Sequence, residues 1–209
     1  MIEPFGLYLI LTNPVAGYER CAEAAVEARV RFLQLRMKGV PRSEVLAMAR
    51  RLRAITCGTA TRLIVNDDPS VAAEVGADGA HLGQEDLPLP EARARWPQVP
   101  LWGLSTHSEE QARAAIAWTP DYIGVGPVYP TPTKAKPDPT VGLERLRRIL
   151  AETPLPAVAI GGIDAERLPD VARAGAENFA VVRAVCQAAD ALSAIRRLQA
   201  IWEEARAGR

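Results

Sequence analysis

The sequence predicts an α/β fold, a single (β/α)8 TIM barrel of eight parallel strands, on three observations. Short, β-branched apolar runs alternate with stretches of helical 3–4 spacing along all 209 residues. There are eight such units of roughly 26 residues each, close to the least that a strand–helix repeat needs, at the small end of the size range of closed barrels. Near-continuous apolar strands separated by helices imply parallel pairing, and the absence of any linker or inserted domain favours closure over an open doubly wound sheet. Residues 1–209 therefore read as one domain.

The strand candidates, in order, are Leu7–Leu11, Arg31–Leu35, Leu63–Val65, Gly79–Leu82, Leu101–Leu104, Tyr122–Val125, Ala157–Ile160 and Phe179–Val182. Between the second and third, Val45, Met48, Ala49, Leu52 and Ile55 mark one helical face; Leu192, Ile195, Leu198 and Trp202 mark another at the end. Pro41 and Pro69 sit where a first helical turn accepts proline, and Asp68 and Asp164 are candidate N-caps. Gly76 and Gly175 stand where helices stop, each opening a similar phrase into the next strand. Pro169 predicts that the seventh helix begins late or is kinked.

Composition removes several classes of function. The chain has 25 basic and 25 acidic residues and a formal net charge of zero, so it carries no electrostatic footprint for nucleic acid or an anionic membrane. No apolar run approaches the ~18 residues of a membrane span. Glu3, with no basic residue ahead of the first apolar run, argues against a signal peptide, so a cytoplasmic location is expected. Cys21, Cys57 and Cys186 are odd in number and not at metal-ligand spacing. With only His81 and His107 present, a histidine-rich metal site is excluded. Of the 25 basic residues only three are Lys, at positions 38, 134 and 136, which singles out Lys38 and Lys134 as compact point charges.

In a barrel of this kind the active site lies at the C-terminal ends of the strands. Strand two ends in Gln34-Leu35-Arg36-Met37-Lys38, and alternation puts Gln34, Arg36 and Lys38 on one side with Leu35 and Met37 on the other. Two cations and an amide at the mouth suit an anionic ligand. Asp68 before Pro69 is explained as a cap, which leaves Asn66 and Asp67 unexplained by local structure. Asp86, after strand four, sits at the neighbouring strand end. Asp67 and Asp86 could flank a magnesium ion, which takes one or two carboxylates along with waters and phosphate oxygens, or could serve as an acid–base pair. Ser105-Thr106-His107 follow strand five. Thr131, Thr133 and Lys134 follow strand six on a proline-stiffened loop, 129–142, that reads as a phosphate clamp and a lid. Gly161-Gly162 and Val182-Arg183 close strands seven and eight, where this fold repeatedly binds phosphate on backbone N–H groups. His81 is read as packing within its strand, His107 as a satisfied loop histidine, and the tryptophans as core or helix-packing residues.

These motifs, in this order over nearly the whole chain, resemble the thiamine phosphate synthase family: Gln34–Lys38, Asn66-Asp67, His81–Gln84 through Asp86, Ser105–His107, Gly126–Val128 through Thr131–Lys134, and Ala159–Ile163. The resemblance implies a transferase that condenses an aminopyrimidine diphosphate with a thiazole phosphate, giving thiamine phosphate and pyrophosphate. It implies that Gln34, Leu35, Arg36, Met37, Lys38, Asn66 and Ser105 bind the pyrimidine diphosphate, with Lys134 reaching the same side, and that Asp67 and Asp86 hold Mg2+. It places the thiazole phosphate at Thr131, Pro132, Thr133, Gly162, Val182 and Arg183, and gives Arg36, Lys38 and Lys134 the catalytic role of stabilising the departing diphosphate. One departure stands out: the family usually has Ser after the strand-eight valine, where this chain has Arg183. A guanidinium there could add a bidentate phosphate bond or crowd the pocket. The partners expected are two small phosphorylated substrates, with a homo-oligomer possible and neither nucleic acid nor membrane. The alternatives carried forward are a thiazole tautomerase-like isomerase and a non-catalytic phosphate-ligand sensor on the same barrel.

Overall fold

The computed structural model describes residues 2–133 and 138–208. Its strands are β1 (Gly6–Leu11), β2 (Phe32–Leu35), β3 (Arg62–Asn66), β4 (Gly79–Leu82), β5 (Trp102–Thr106), β6 (Tyr122–Val125), β7 (Ala157–Ile160) and β8 (Asn178–Val181). The helices are α1 (Tyr18–Glu27), α2 (Arg42–Thr56), α3 (Pro69–Val75), α4 (Leu89–Arg95), α5 (Glu109–Trp118), α6 (Gly142–Glu152), α7 (Leu168–Arg173), α8 (Arg183–Cys186) and α9 (Ala191–Ala207). All neighbouring strands pair in parallel and β8 returns to β1, with Tyr8 opposite both Phe32 and Ala180, so the sheet is the closed eight-stranded barrel that the sequence predicts.

Alternation along each strand separates two cores. Leu7, Leu9 and Leu11 of β1 point outward with Leu33 and Leu35 of β2 and meet the buried faces of the helices, including Met48, Ala49 and Leu52 of α2 and Ile195, Leu198 and Trp202 of α9. Tyr8, Ile10, Phe32, Ile64, Tyr122, Val158 and Ala180 point inward and plug the barrel. Aromatic rings dominate this inner layer, with Tyr8 5.5 Å from Phe32 and 5.7 Å from Tyr122 between centroids. They fit because Gly103 faces them: a Cβ there would lie 2.2 Å from Tyr122 Cζ and 2.3 Å from His81 Nδ1. Both of those side chains are buried, so neither can retreat. Gly103→Ala should cost at least the roughly 3 kcal/mol at the upper end of overpacking penalties. Urea unfolding checks this, and a variant as stable as the parent would contradict it.

The N-terminal end of the barrel is tied by one device used three times. Asp78 Oδ2 accepts from Leu63 N at 2.8 Å, Asp121 Oδ2 from Trp102 N at 2.8 Å, and Asn178 Oδ1 from Phe5 N at 2.7 Å and Gly6 N at 3.2 Å. Each satisfies a donor within a residue of the start of an adjacent strand, a group that burial would otherwise leave unpaired. The similar phrases after Gly76 and Gly175 supply two of these residues, Asp78 and Asn178.

Local expectations mostly match. Asp68 caps α3 by accepting from Ser70 N and Val71 N, with Pro69 in its first turn. Two readings shift. Pro41 is the N-cap residue of α2 rather than part of its first turn. Asp164 caps the turn at Glu166 and Arg167, and α7 begins after it, late as Pro169 predicts. Val182, expected to end the last strand, instead begins the turn into α8. Trp102 and Trp202 are buried in the outer core, while Trp118 is 39% exposed.

Candidate active site

At the C-terminal mouth the barrel opens into a cavity of about 880 Å³ to which every strand or its following loop contributes. Its floor is the inner polar and aromatic layer, Tyr8, Gln34, His81 and Tyr122. Gln34, Arg36 and Lys38 all line the cavity. Leu35 is buried among the helices and Met37 packs against the same outer core, so the expectation that they contact a ligand is corrected for their side chains: strand parity turns both away. Asn66, Ser105, Thr131, Thr133, Gly162, Val182 and Arg183 line the cavity as well, whereas Pro132 points to solvent and does not. Lys134 lies outside the described residues.

On one side of the mouth, charge is concentrated. Asp67 follows β3 with φ at 64°, a left-handed conformation that non-glycine residues take uncommonly and that Asp tolerates better than most. Its backbone N–H donates to His81 O at 2.8 Å, which anchors the turn to β4, and its carboxylate pairs with Lys38. Asp86 closes a tight turn by accepting from Gly83 N at 2.6 Å. Burial pushes the Asp86 carboxyl up; the Gly83 N–H draws it down, and the facing Asp67 carboxylate raises it again. Two carboxylates thus oppose each other at adjacent strand ends. Burial lowers the Arg36 guanidinium from its usual range and Asp67 raises it. Among the described residues no group of three or more His, Cys, Asp or Glu is placed to hold a metal. Two carboxylates at adjacent strand ends are as many as magnesium usually takes from a protein, its remaining oxygens coming from water and substrate.

The opposite side is shaped by backbone, and Arg167 stands at it, donating to Gly162 O at 2.8 Å. Val128 N donates to Ile160 O at 2.8 Å and Tyr129 N to Gly161 O at 3.0 Å, pinning the loop after β6 along the exit of β7. This brings Thr131 and Thr133, 3.1 Å apart at their hydroxyls, onto the same cavity as Gly162. Gly162 has φ at 63°, and a Cβ would sit 2.8 Å from Pro130 O and from Tyr129 Cβ, so only glycine permits this approach. Arg183 is exposed at the rim, and its Nε donates to Gln187 Oε1 at 3.2 Å, along its own helix.

Three residues to which the sequence assigns no site role belong to this cavity. His81, read as packing within its strand, lines the cavity 2.9 Å from Ser105 Oγ through Nε2. Tyr8 and Tyr122 reach it from β1 and β6. Parity with Gly79 and Ile10 would have pointed His81 and Tyr8 inward. His107 lines the cavity too, its Nδ1 2.6 Å from Gly126 O.

The thiamine monophosphate synthase family matches residues 7–185. The chain belongs to that family. It is 44% identical over 206 residues to the thiamine-phosphate synthase of Anaeromyxobacter dehalogenans, covering 98% of this chain and 90% of that protein. It is 41% identical over 202 residues to the thiamine-phosphate synthase of Syntrophomonas wolfei, covering 95% and 97%. Among solved structures, thiamine phosphate pyrophosphorylase from Pyrococcus furiosus superposes with a TM-score of 0.88 at 33% identity, covering 97% of each chain. The barrel is thus an enzyme with thiamine-phosphate synthase activity, a transferase of thiamine biosynthesis. No helix among the described residues is long and apolar enough to cross a membrane.

Proposed function

We propose that this cavity joins 4-amino-2-methyl-5-hydroxymethylpyrimidine diphosphate to 4-methyl-5-hydroxyethylthiazole phosphate by dissociative substitution. The observation that carries the reading is a single cavity with Arg36, Lys38, Asp67 and Asp86 on one side and, on the other, a glycine-shaped wall with the Thr131 and Thr133 hydroxyls and the guanidinium groups of Arg167 and Arg183. The first suits a diphosphate with its metal; the second suits a monophosphate held by Thr131, Thr133 and backbone N–H groups at Gly162 and the first turn of α8, where such groups lack intrahelical partners.

On this reading the bond between the pyrimidine methylene carbon and the diphosphate oxygen breaks first, and its electron pair leaves with pyrophosphate. Arg36 and Lys38, with Lys134 assigned to the same side by its place in the family motif, stabilise the charge that develops on that oxygen. The aminopyrimidine ring carries the positive charge left on its methylene. Gln34, Asn66 and Ser105 hold the ring, and the thiazole nitrogen, positioned by its phosphate tail, forms the new C–N bond. A magnesium ion held by Asp67 and Asp86 would neutralise further charge on the diphosphate oxygens. No general base is required.

Incubation of the protein with both substrates, with and without magnesium, followed by mass spectrometry tests the reading. Thiamine phosphate and pyrophosphate should appear in equal amounts and depend on magnesium. Binding of both substrates without product would overturn it in favour of an isomerase or a sensor.

A further inference from the structure

Inside the barrel runs a chain of polar contacts that anion and metal binding do not require. Gln34 Nε2 donates to Tyr8 Oη at 2.9 Å, and the Tyr8 and Tyr122 hydroxyls lie 2.8 Å apart. Tyr122 Oη is 3.1 Å from His81 Nδ1, and His81 Nε2 is 2.9 Å from Ser105 Oγ. The two ends, Gln34 and Ser105, both line the cavity, and the three links between them are buried.

Counting protons gives the chain a direction. An amide nitrogen only donates, while a phenol donates once and a neutral imidazole has one donor and one acceptor. Burial pushes both phenols up, so each keeps its proton. Tyr8, accepting from Gln34, therefore turns its proton to Tyr122, and Tyr122 turns its own to His81 Nδ1. An imidazole accepting at Nδ1 carries its hydrogen on Nε2, which donates to Ser105 Oγ. Ser105 is left to aim its proton into the cavity, and Gln34 retains Oε1 as an acceptor on the cavity wall.

We infer that Tyr8, Tyr122 and His81 are positioning residues, a relay of fixed polarity that presents Ser105 as a donor and Gln34 as an acceptor. The site would then read a heterocycle edge on which a ring-nitrogen acceptor adjoins an exocyclic amine. This rests on the reading that the pyrimidine diphosphate occupies that side. A 4-oxo analogue offers an acceptor where the amine donates. To suit it, the bonds of the relay would have to reverse together, and buried groups tolerate no half-reversed state.

The relay is tested first without substrate, by 15N NMR of histidine side chains near pH 8. The chain has only two histidines, so a His107→Gln variant assigns the signals. His81 should be the Nε2–H tautomer. In Tyr8→Phe, which removes a hydroxyl separated from His81 by Tyr122, the signature should move toward a mixture of tautomers. In Tyr8→Phe and Tyr122→Phe the preference for the amino over the 4-oxo pyrimidine diphosphate should fall about tenfold, with KM for the thiazole phosphate within about twofold of the parent. An Nδ1–H or doubly protonated His81 in the parent protein would overturn the relay, as would a Tyr8→Phe protein with tautomer and preference both unchanged. An Nε2–H His81 in a protein that makes no product would count against the synthase reading and leave the relay standing.

Discussion

Replacing Asp67 by asparagine should lower turnover about a hundredfold at limiting magnesium, the loss of roughly 3 kcal/mol of charge stabilisation in the barrier. Asparagine is the informative choice because position 67 has a φ of 64°, where Asn is tolerated and alanine adds strain of about 1 kcal/mol. The carboxylate at 67 pairs with Lys38 and raises Asp86. Its removal therefore frees Lys38 and lets Asp86 ionise more readily. Asp86 alone can still offer one carboxylate to the metal, so part of the activity should return as magnesium is raised, and the half-saturating concentration should move upward. Asp86→Asn should behave likewise. A magnesium titration of the Asp67→Asn protein that superimposes on the parent curve would remove the metal assignment, while leaving the barrel and its anion sites in place.

What the sequence made legible is what depends on parity and on the ends of strands. The eight strands, the outward turn of Leu35 and Met37 and the inward turn of Gln34, Arg36 and Lys38 follow from a period of two. The approach of Asp67 and Asp86 follows from strands three and four being neighbours. Other features are set by contacts across the closed barrel. Tyr8 and Tyr122 are 114 residues apart and meet only because the sheet closes. His81 finds room beside Tyr122 because Gly103, on the next strand, has no side chain. Each of those runs reads as plain apolar strand in isolation, so their shared polar function has no local signature. The direction of Arg183 is likewise decided by Gln187 one helical turn on, a rotamer choice that spacing alone does not determine.

Arg36→Met should lower kcat by about a hundredfold, with KM for the thiazole phosphate within about twofold of the parent. Arg36 lies deeper in the mouth than the exposed Lys38, and burial acts on its guanidinium more strongly than the nearby Asp67. A partly desolvated cation stabilises developing charge more than one in open water, since less solvent screens it. Lys38 already pairs with Asp67, so Lys38→Met removes a charge that is half neutralised and should cost closer to tenfold in kcat. Arg36→Lys should recover only part of the loss, because an ammonium keeps the charge and gives up the planar fork that grips two phosphate oxygens. Pyrophosphate inhibition separates this from a general defect in folding. The leaving group should inhibit Arg36→Met more weakly than the parent, while inhibition by inorganic phosphate competing with the thiazole phosphate stays the same. If pyrophosphate inhibits both proteins equally, Arg36 does not touch the leaving group, and the charge stabilisation must be reassigned to Lys38 and Lys134.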